Sequence, residues 1–221
     1  MCSKNEVHLG NCIGNYVNAS RIASAVSDLN RRFHLVYNCI KHCTVDVKYK
    51  LFKAHCMCVY GSQLWDFSKY DCENFYIAWR KTIRRLLGLP DRTHCELLNV
   101  LCKDFTVEQQ LHARCFKFYH GLNTSDNVYL RLCSKLVKNG SRSSLANSLN
   151  FLCHKYSVNK FLMSDLSITD IIKNVKCCVP SQEALISAGA IRDFVEVRNK
   201  PLISTGDRAN YRFIINHLCL A

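Results

Sequence analysis

The clearest pattern of apolar and polar positions in this chain runs from Asp71 to Leu87. At about 100° per residue, its large apolar side chains share one side of a helix, and these are Phe75, Tyr76, Trp79, Ile83, Leu86 and Leu87. Asp71 can accept hydrogen bonds from the free amides of the first turn. Gly88 can adopt the left-handed conformation after the last turn, and Pro90 prevents the helix from continuing. The pattern predicts a helix with one buried face.

The opposite side of this predicted helix is basic. Its cations are Arg80, Lys81, Arg84 and Arg85, and Arg92 follows in the next turn. One interpretation is a solvated helix face, because lysine and arginine normally lie at the surface. The composition of the whole chain favours another interpretation, binding to a polyanion, because 30 Lys+Arg against 17 Asp+Glu give a net charge of +13 and a pI near 9.1. Such an excess indicates a polyanionic partner, nucleic acid before an acidic membrane surface. We therefore predict that these five residues bind nucleic acid.

The rest of the chain is predicted to be almost all helical. Val7 to Ile13 is short and rich in β-favouring residues, which predicts one strand. Apolar positions spaced by three and four predict helices afterwards. The predicted ranges are about 20 to 40, 47 to 60, 94 to 102, 107 to 120, 126 to 138, 144 to 155, 165 to 175, 181 to 199 and 207 to 218. The second of these helices is apolar on every side in its second half, which predicts burial of that half.

Two short patterns predict how helices begin, and one predicts a break. Thr93 with Glu96, and Thr106 with Gln109, have the spacing of capping boxes. The polar stretch from residue 139 to 144 predicts a flexible break.

The 15 cysteines allow two interpretations, a disulfide framework or a reduced chain that uses cysteine as a small apolar residue. We favour the second, because the number is odd, many cysteines lie in helical apolar patterns, and the first residues lack the apolar run of a signal peptide. No run approaches the roughly 18 apolar residues that span a bilayer. We therefore expect an intracellular protein that is neither secreted nor membrane-bound.

A metal site is not predicted, although six possible ligands lie close together in the sequence. A helix beginning at Val47 would separate them into two groups about 12 Å apart along its axis. Zinc holds its ligands at about 2.0 to 2.3 Å, so the groups would not meet. These residues are Cys39, His42, Cys43, His55, Cys56 and Cys58.

The residues expected of an enzyme are also missing. The chain has no Gly-rich phosphate loop and no adjacent aspartates that would hold a two-metal centre. Pairs of cysteine and histidine are too numerous to indicate a nucleophile. The sequence therefore predicts a binding module without catalytic residues, metal ions or cofactors.

Three segments carry a resemblance to a known family. They are HLGNCIG at His8 to Gly14, YKLFKAHCMCVYGSQLWD at Tyr49 to Asp66, and WRKTIRRLLGLPDRTH at Trp79 to His94. In order and spacing they resemble the carboxy-terminal part of the reverse transcriptase polyprotein of LINE-type non-LTR retrotransposons. RCFKFYHGLNTSDNVYL and NGSRSSLANSLNFL resemble the tail of such polyproteins more loosely. The resemblance covers most of the chain and is most specific over residues 7 to 120.

The resemblance implies that the first segment matches the strand closing the polymerase palm and that the following helices match the thumb. It also implies that the endonuclease, the fingers and the palm, with the aspartate pair that holds Mg²⁺, would precede residue 1. No polymerase activity is then expected of this chain alone. The implied partners are RNA or an RNA–DNA duplex, contacted through phosphate and sugar, and the remainder of the polyprotein.

Together these observations predict a mainly α protein. It would comprise a thumb-like helical bundle with one short N-terminal strand over residues 1–122 and a further helical region over 123–221. The location would be nuclear or cytoplasmic. Two alternatives remain open, a helical protein-interaction module and a nonfunctional remnant.

Overall fold

A computed structural model describes residues 6–8, 11–13, 17–57, 59–159, 167–176 and 192. These residues form a mainly helical structure, which confirms the predicted class. The helices predicted over 181–199 and 207–218 lie outside the described residues, apart from Arg192. The described helices are α1 Val17–Ile40, α2 Val45–Cys56, α3 Asp71–Leu87, α4 Cys95–Cys102, α5 Val107–Asn123, α6 Val128–Lys138, α7 Ser144–Lys155 and α8 Ile168–Lys176, with a 3-10 turn at Ser62–Leu64.

The stretch predicted as one strand contains two short strands. Strand β1 is Glu6–His8 and strand β2 is Asn11–Ile13, and they pair in antiparallel register with Val7 opposite Cys12. Pairing gives the backbone N–H and C=O groups partners that a lone strand would lack.

The chain divides into two compact units, each built from separated segments. The first unit comprises the described residues within Met1–Ala25, Val59–Tyr76 and Thr106–Cys177. The second comprises those within Val26–Cys58, Ile77–Phe105 and Cys178–Ala221. The domain boundary that we predicted after residue 122 falls inside α5, within the first unit. Composition along the chain cannot indicate which distant segments pack together.

The core of the first unit surrounds α5, which packs against α6, α7, α8 and the 3-10 turn. Leu111, Cys115 and Phe116 of α5 are completely buried, at the spacings of one helix face. Trp65 lies against Phe75 with ring centroids 5.3 Å apart.

The core of the second unit is built on Phe52 of α2. Its ring contacts Trp79 at 4.7 Å and Phe33 at 6.2 Å between centroids. Helix α2 also packs against α4, whose buried side chains are Leu97, Leu98 and Leu101. This aromatic and leucine core supports the basic part of α3.

Helix α2 ends earlier than predicted, at Cys56 instead of near Tyr60. The N–H of Met57 still donates to the Lys53 carbonyl at 3.1 Å, and the chain then turns to Gly61, which has a φ of 76°. Cys56 and Met57 are buried, but Tyr60 is exposed. The predicted burial therefore holds for only part of the run, because an apolar run without helical periodicity equally suits a non-helical buried segment.

One of the two predicted capping boxes is present. Thr106 Oγ1 accepts from the Gln109 N–H and the Gln109 side chain accepts from the Thr106 N–H, both at 3.0 Å. The other is wrong, because α4 begins after His94, which makes no side-chain capping bond. The hydroxyl of Thr93 donates instead to the Pro90 carbonyl at 2.7 Å.

The polar stretch from residue 139 to 144 is a defined turn. Gly140 has a φ of 85°, and the Ser141 N–H donates to the Leu136 carbonyl at 3.2 Å, which closes the end of α6. Ser143 Oγ accepts from the Ala146 N–H at 3.2 Å and caps α7. The residues that predicted a break serve here as helix caps.

Candidate nucleic-acid interface

Helix α3 is held by its apolar face, as its pattern predicted. In the second unit Trp79, Ile83 and Leu86 are all buried. After the last turn Gly88 has a φ of 65°, and the Leu89 N–H donates to the Arg84 carbonyl at 2.8 Å. This is the Schellman arrangement that a glycine in this position favours.

The first turn of α3 differs from the prediction. Asp71 is already the first helical residue and therefore does not cap the helix. Its Oδ2 accepts from Asn18 Nδ2 at 3.5 Å, within the first unit. A carboxylate in the first turn remains favourable, because the helix dipole is positive there.

Three of the five predicted cations are exposed. Lys81 and Arg85 are neighbours on successive turns of α3, a spacing that places Cβ atoms about 5–6 Å apart. Arg92 is exposed in the turn after α3, and Arg80 is half-buried. These four side chains are the ones available to a polyanion.

Arg84 does not lie where the prediction placed it. Its side chain is buried, with 8% of the residue exposed, and its Nε and Nη2 donate to the Thr93 carbonyl at 3.0 and 2.7 Å. Nη2 also lies 3.5 Å from Cys95 Sγ. The turn between α3 and α4 therefore covers Arg84 and removes it from the candidate interface. A helical wheel treats α3 alone and cannot show this turn.

The buried guanidinium braces the turn that carries Arg92. Thr93 accepts from Arg84 through its carbonyl and donates its own N–H to the Pro90 carbonyl at 3.1 Å. Arg92 is adjacent to Thr93 in the chain, so its backbone is held by these bonds. Lys81, Arg85 and Arg92 therefore lie on one helix and on the turn that Arg84 holds in place. We call these three residues the α3 basic surface.

Some other cations of the second unit are paired with carboxylates. Lys53 bonds to Asp104, and Arg31 lies 3.1 Å from Asp28. The guanidinium of Arg192 bonds to Asp46 at 2.6 Å and holds the pKa of that carboxyl below its usual value.

Within the described residues no ion pair involves Lys81, Arg85 or Arg92. Their charge is therefore not neutralised there by a neighbouring carboxylate. The α3 basic surface can attract an anion from solution, and phosphate is the anion that a nucleic acid supplies.

Within the described part of the chain, no three His, Cys, Asp or Glu side chains are arranged to hold a metal ion. Cys58, one of the six residues that we considered, lies outside this part. Helix α2 runs unbroken between Cys43 and His55, as the argument against a metal site assumed.

Burial raises the pKa of the Cys72 and Cys115 thiols to about 12, so both stay protonated near neutral pH.

A buried polar cluster in the first unit escaped the sequence analysis. His112 Nδ1 lies 2.7 Å from the Tyr156 hydroxyl, and its Nε2 lies 3.3 Å from that of Tyr76. Burial lowers the pKa of His112 to about 3, so the imidazole is neutral near pH 7. Its place on the apolar face of α5 was visible in the sequence, but its two tyrosine partners were not.

None of the described helices is both long and apolar enough to cross a bilayer. Comparisons with protein-family models, curated proteins and solved structures found no match for the chain.

Proposed function

We propose that this chain is the carboxy-terminal part of a non-LTR retrotransposon reverse transcriptase and that it binds RNA or RNA–DNA duplex without sequence preference. The contacts are made by Lys81, Arg85 and Arg92, with Arg80 beside them. The observation that carries the proposal is the α3 basic surface, whose three cations make no ion pair with the described residues and are presented from a braced helix and turn.

The packing of α3 explains how such a surface would bind efficiently. The helix is fixed by buried Trp79 and Leu86, and the turn is fixed by Arg84. The backbone needs no reordering when a nucleic acid arrives, which lowers the entropic cost of association. The cations would meet phosphates, and phosphate contacts position a nucleic acid without reading its sequence.

The proposal includes no polymerase activity for this chain by itself. By resemblance, the aspartate pair and its Mg²⁺ belong to a palm that precedes these residues in the polyprotein. The remainder of that polyprotein would be a partner, and the location would be intracellular, nuclear or cytoplasmic.

The test compares binding to two unrelated sequences of an RNA–DNA hybrid. The variant Lys81→Gln/Arg85→Gln/Arg92→Gln should bind both hybrids at least about tenfold more weakly than wild type, a loss of about 1.4 kcal/mol. A matched control removes three exposed cations of the first unit, Lys69→Gln/Lys117→Gln/Arg142→Gln. It has the same net charge as the first variant and should keep most of the affinity.

Circular dichroism should show equal helicity in the three proteins, because all six substituted side chains are exposed. Equal losses in the two variants would mean that net charge alone governs binding, and the proposal would fail. A strong preference for one of the two hybrids would also contradict it.

A further inference from the structure

Helix α6 exposes its apolar side to solvent, whereas a helix usually buries that side. Val128, Tyr129, Leu132 and Leu136 are 65%, 79%, 53% and 55% exposed. In the same helix only Ser134 and Val137 are buried. Single exposed apolar residues are ordinary, but a contiguous set on one element indicates a binding surface.

These side chains form one stripe along the helix. Val128, Leu132 and Leu136 follow each other at intervals of four, and Tyr129 and exposed Cys133 lie beside them. We call these five residues the α6 apolar stripe. Ser134 lies on the opposite side, where its Oγ donates to Asn123 Oδ1 at 3.2 Å, and buried Val137 lies one turn after Cys133 at the edge of the stripe. The stripe is therefore an outward face of a helix that is already fixed from behind.

A row of positive charge runs along one edge of the stripe. Arg131 and Lys135 are both exposed and, like the leucines, are four residues apart. The helix sequence VYLRLCSKLVK contains no Asp or Glu. A molecule that covers the stripe meets these cations along one edge, where its anionic groups are attracted and its cationic groups are repelled.

We propose that the α6 apolar stripe docks an amphipathic helix of another protein, one with leucine-like residues on its apolar face and carboxylates along its flank. Rows of side chains at intervals of four are the ridges by which two helices pack. The 11 residues of α6 span about 16 Å, which accommodates three turns of a partner helix. Carboxylates on the partner would pair with Arg131 and Lys135.

Two other occupants fit these observations less well. If a second copy of the chain covered the stripe with its own α6, that helix would bring cations and no carboxylates. Arg131 and Lys135 would then gain no oppositely charged partner from it. A helix that lies flat on an anionic membrane is usually basic across its polar face. In α6 the side opposite the stripe is buried at Ser134, one edge is buried at Val137, and positive charge borders only the other edge.

The probe is a synthetic helical peptide of about five turns, with leucines at intervals of three and four and glutamates on the flanking positions. One control peptide has lysine in place of every glutamate. Another keeps the composition but spreads the leucines around the helix. Fluorescence anisotropy should show binding of the acidic peptide at least about tenfold tighter than either control.

Two variants with matched controls locate the binding. Leu132→Ser/Leu136→Ser should weaken it at least about tenfold, whereas Leu35→Ser, at an isolated leucine of α1 that is 68% exposed, should have little effect.

Arg131→Gln/Lys135→Gln should remove the preference for the acidic over the lysine peptide. Lys117→Gln/Arg142→Gln, with the same change in charge, should not. Equal helicity by circular dichroism confirms that each variant is folded.

The same protein is also tested with vesicles and for self-association. The proposal fails if the acidic peptide does not bind, or if the acidic and lysine peptides bind equally. It also fails if the wild type binds phosphatidylserine/phosphatidylcholine vesicles through Leu132 and Leu136 and ignores the peptide. A dimer in sedimentation that dissociates in Leu132→Ser/Leu136→Ser would show that a second copy covers the stripe instead. Loss of RNA–DNA binding in the α3 variant bears on none of these outcomes.

Discussion

Helices α3 and α6 both combine an apolar side with lysine and arginine, but their apolar sides have opposite surroundings. In α3 the large apolar residues are buried, and two of its four cations, Lys81 and Arg85, are exposed. In α6 the apolar residues and the cations are exposed together. The same amphipathic pattern therefore supports two kinds of surface, one that offers charge alone and one that offers charge beside apolar area. The neighbouring elements decide between them.

The largest expected effect concerns the apolar sides of the two helices. Trp79→Ala removes a ring that contacts Phe52 in the core and should lower the free energy of unfolding by about 3–5 kcal/mol. That is a large share of a typical total of about 5–15 kcal/mol. Leu132→Ala on α6 should change it by less than about 0.5 kcal/mol. Urea denaturation measures both, and similar values for the two variants would remove the distinction drawn here.

A smaller effect separates two arginines of the same helix. Arg84→Met leaves the buried Thr93 carbonyl without its donors and should cost about 1–3 kcal/mol of unfolding free energy. Arg85→Met, at an exposed position, should cost less than about 0.5 kcal/mol. Urea denaturation again provides the measurement. An Arg84 variant as stable as the Arg85 variant would show that the guanidinium does not brace the turn.

Acid should weaken the unit that supports α6. His112 of α5 has a pKa of about 3 when folded against about 6.5 when unfolded, so the unfolded state binds more protons between these values. The stability that depends on neutral His112 is complete above pH 6.5 and falls as the pH is lowered. The loss is about 1.4 kcal/mol for each pH unit.

His112→Gln removes this titration and should show a shallower decline of unfolding free energy from pH 6.5 to 4. The comparison is between slopes, because the substitution also lowers stability at every pH by disturbing the bonds to Tyr76 and Tyr156. Parallel slopes for the two proteins would contradict the buried neutral imidazole.

The smallest effect on stability is expected in the α6 apolar stripe. Leu132→Ser/Leu136→Ser should leave the urea midpoint within the range of ordinary surface substitutions, about 0.5 kcal/mol. The same variant should lose peptide binding, so function and stability separate on α6. A large loss of stability would mean that these leucines belong to the core.

Local pattern was enough to predict most helices of the described chain. Helix α7 occupies the predicted range 144–155, and α3 ends at Leu87 before Gly88 as expected. These limits follow from periodicity, capping residues and glycine, which act within a few positions of one another. The Thr106–Gln109 capping box was predictable for the same reason.

Long-range packing was the part that could not be predicted. Arg84 looked like its neighbours in the sequence, and only the turn that holds Thr93, with Cys95 at the start of α4, shows why it is buried. The exposure of Leu132 and Leu136 was hidden because periodicity finds an apolar side without showing what covers it. The two units escaped prediction for the same reason, since each joins segments that are distant in the chain.

The salt dependence of RNA–DNA hybrid binding compares the two helices most directly. The α3 variant Lys81→Gln/Arg85→Gln/Arg92→Gln is measured beside the α6 variant Arg131→Gln/Lys135→Gln across one salt series. Each phosphate contact contributes about −0.9 to the slope of log affinity against log salt on a duplex. We predict that the slope flattens by about 2.5 to 3 units in the α3 variant and by less than 1 in the α6 variant. Parallel lines for the α3 variant and wild type, or equal flattening in both variants, would contradict nucleic-acid binding by the α3 basic surface.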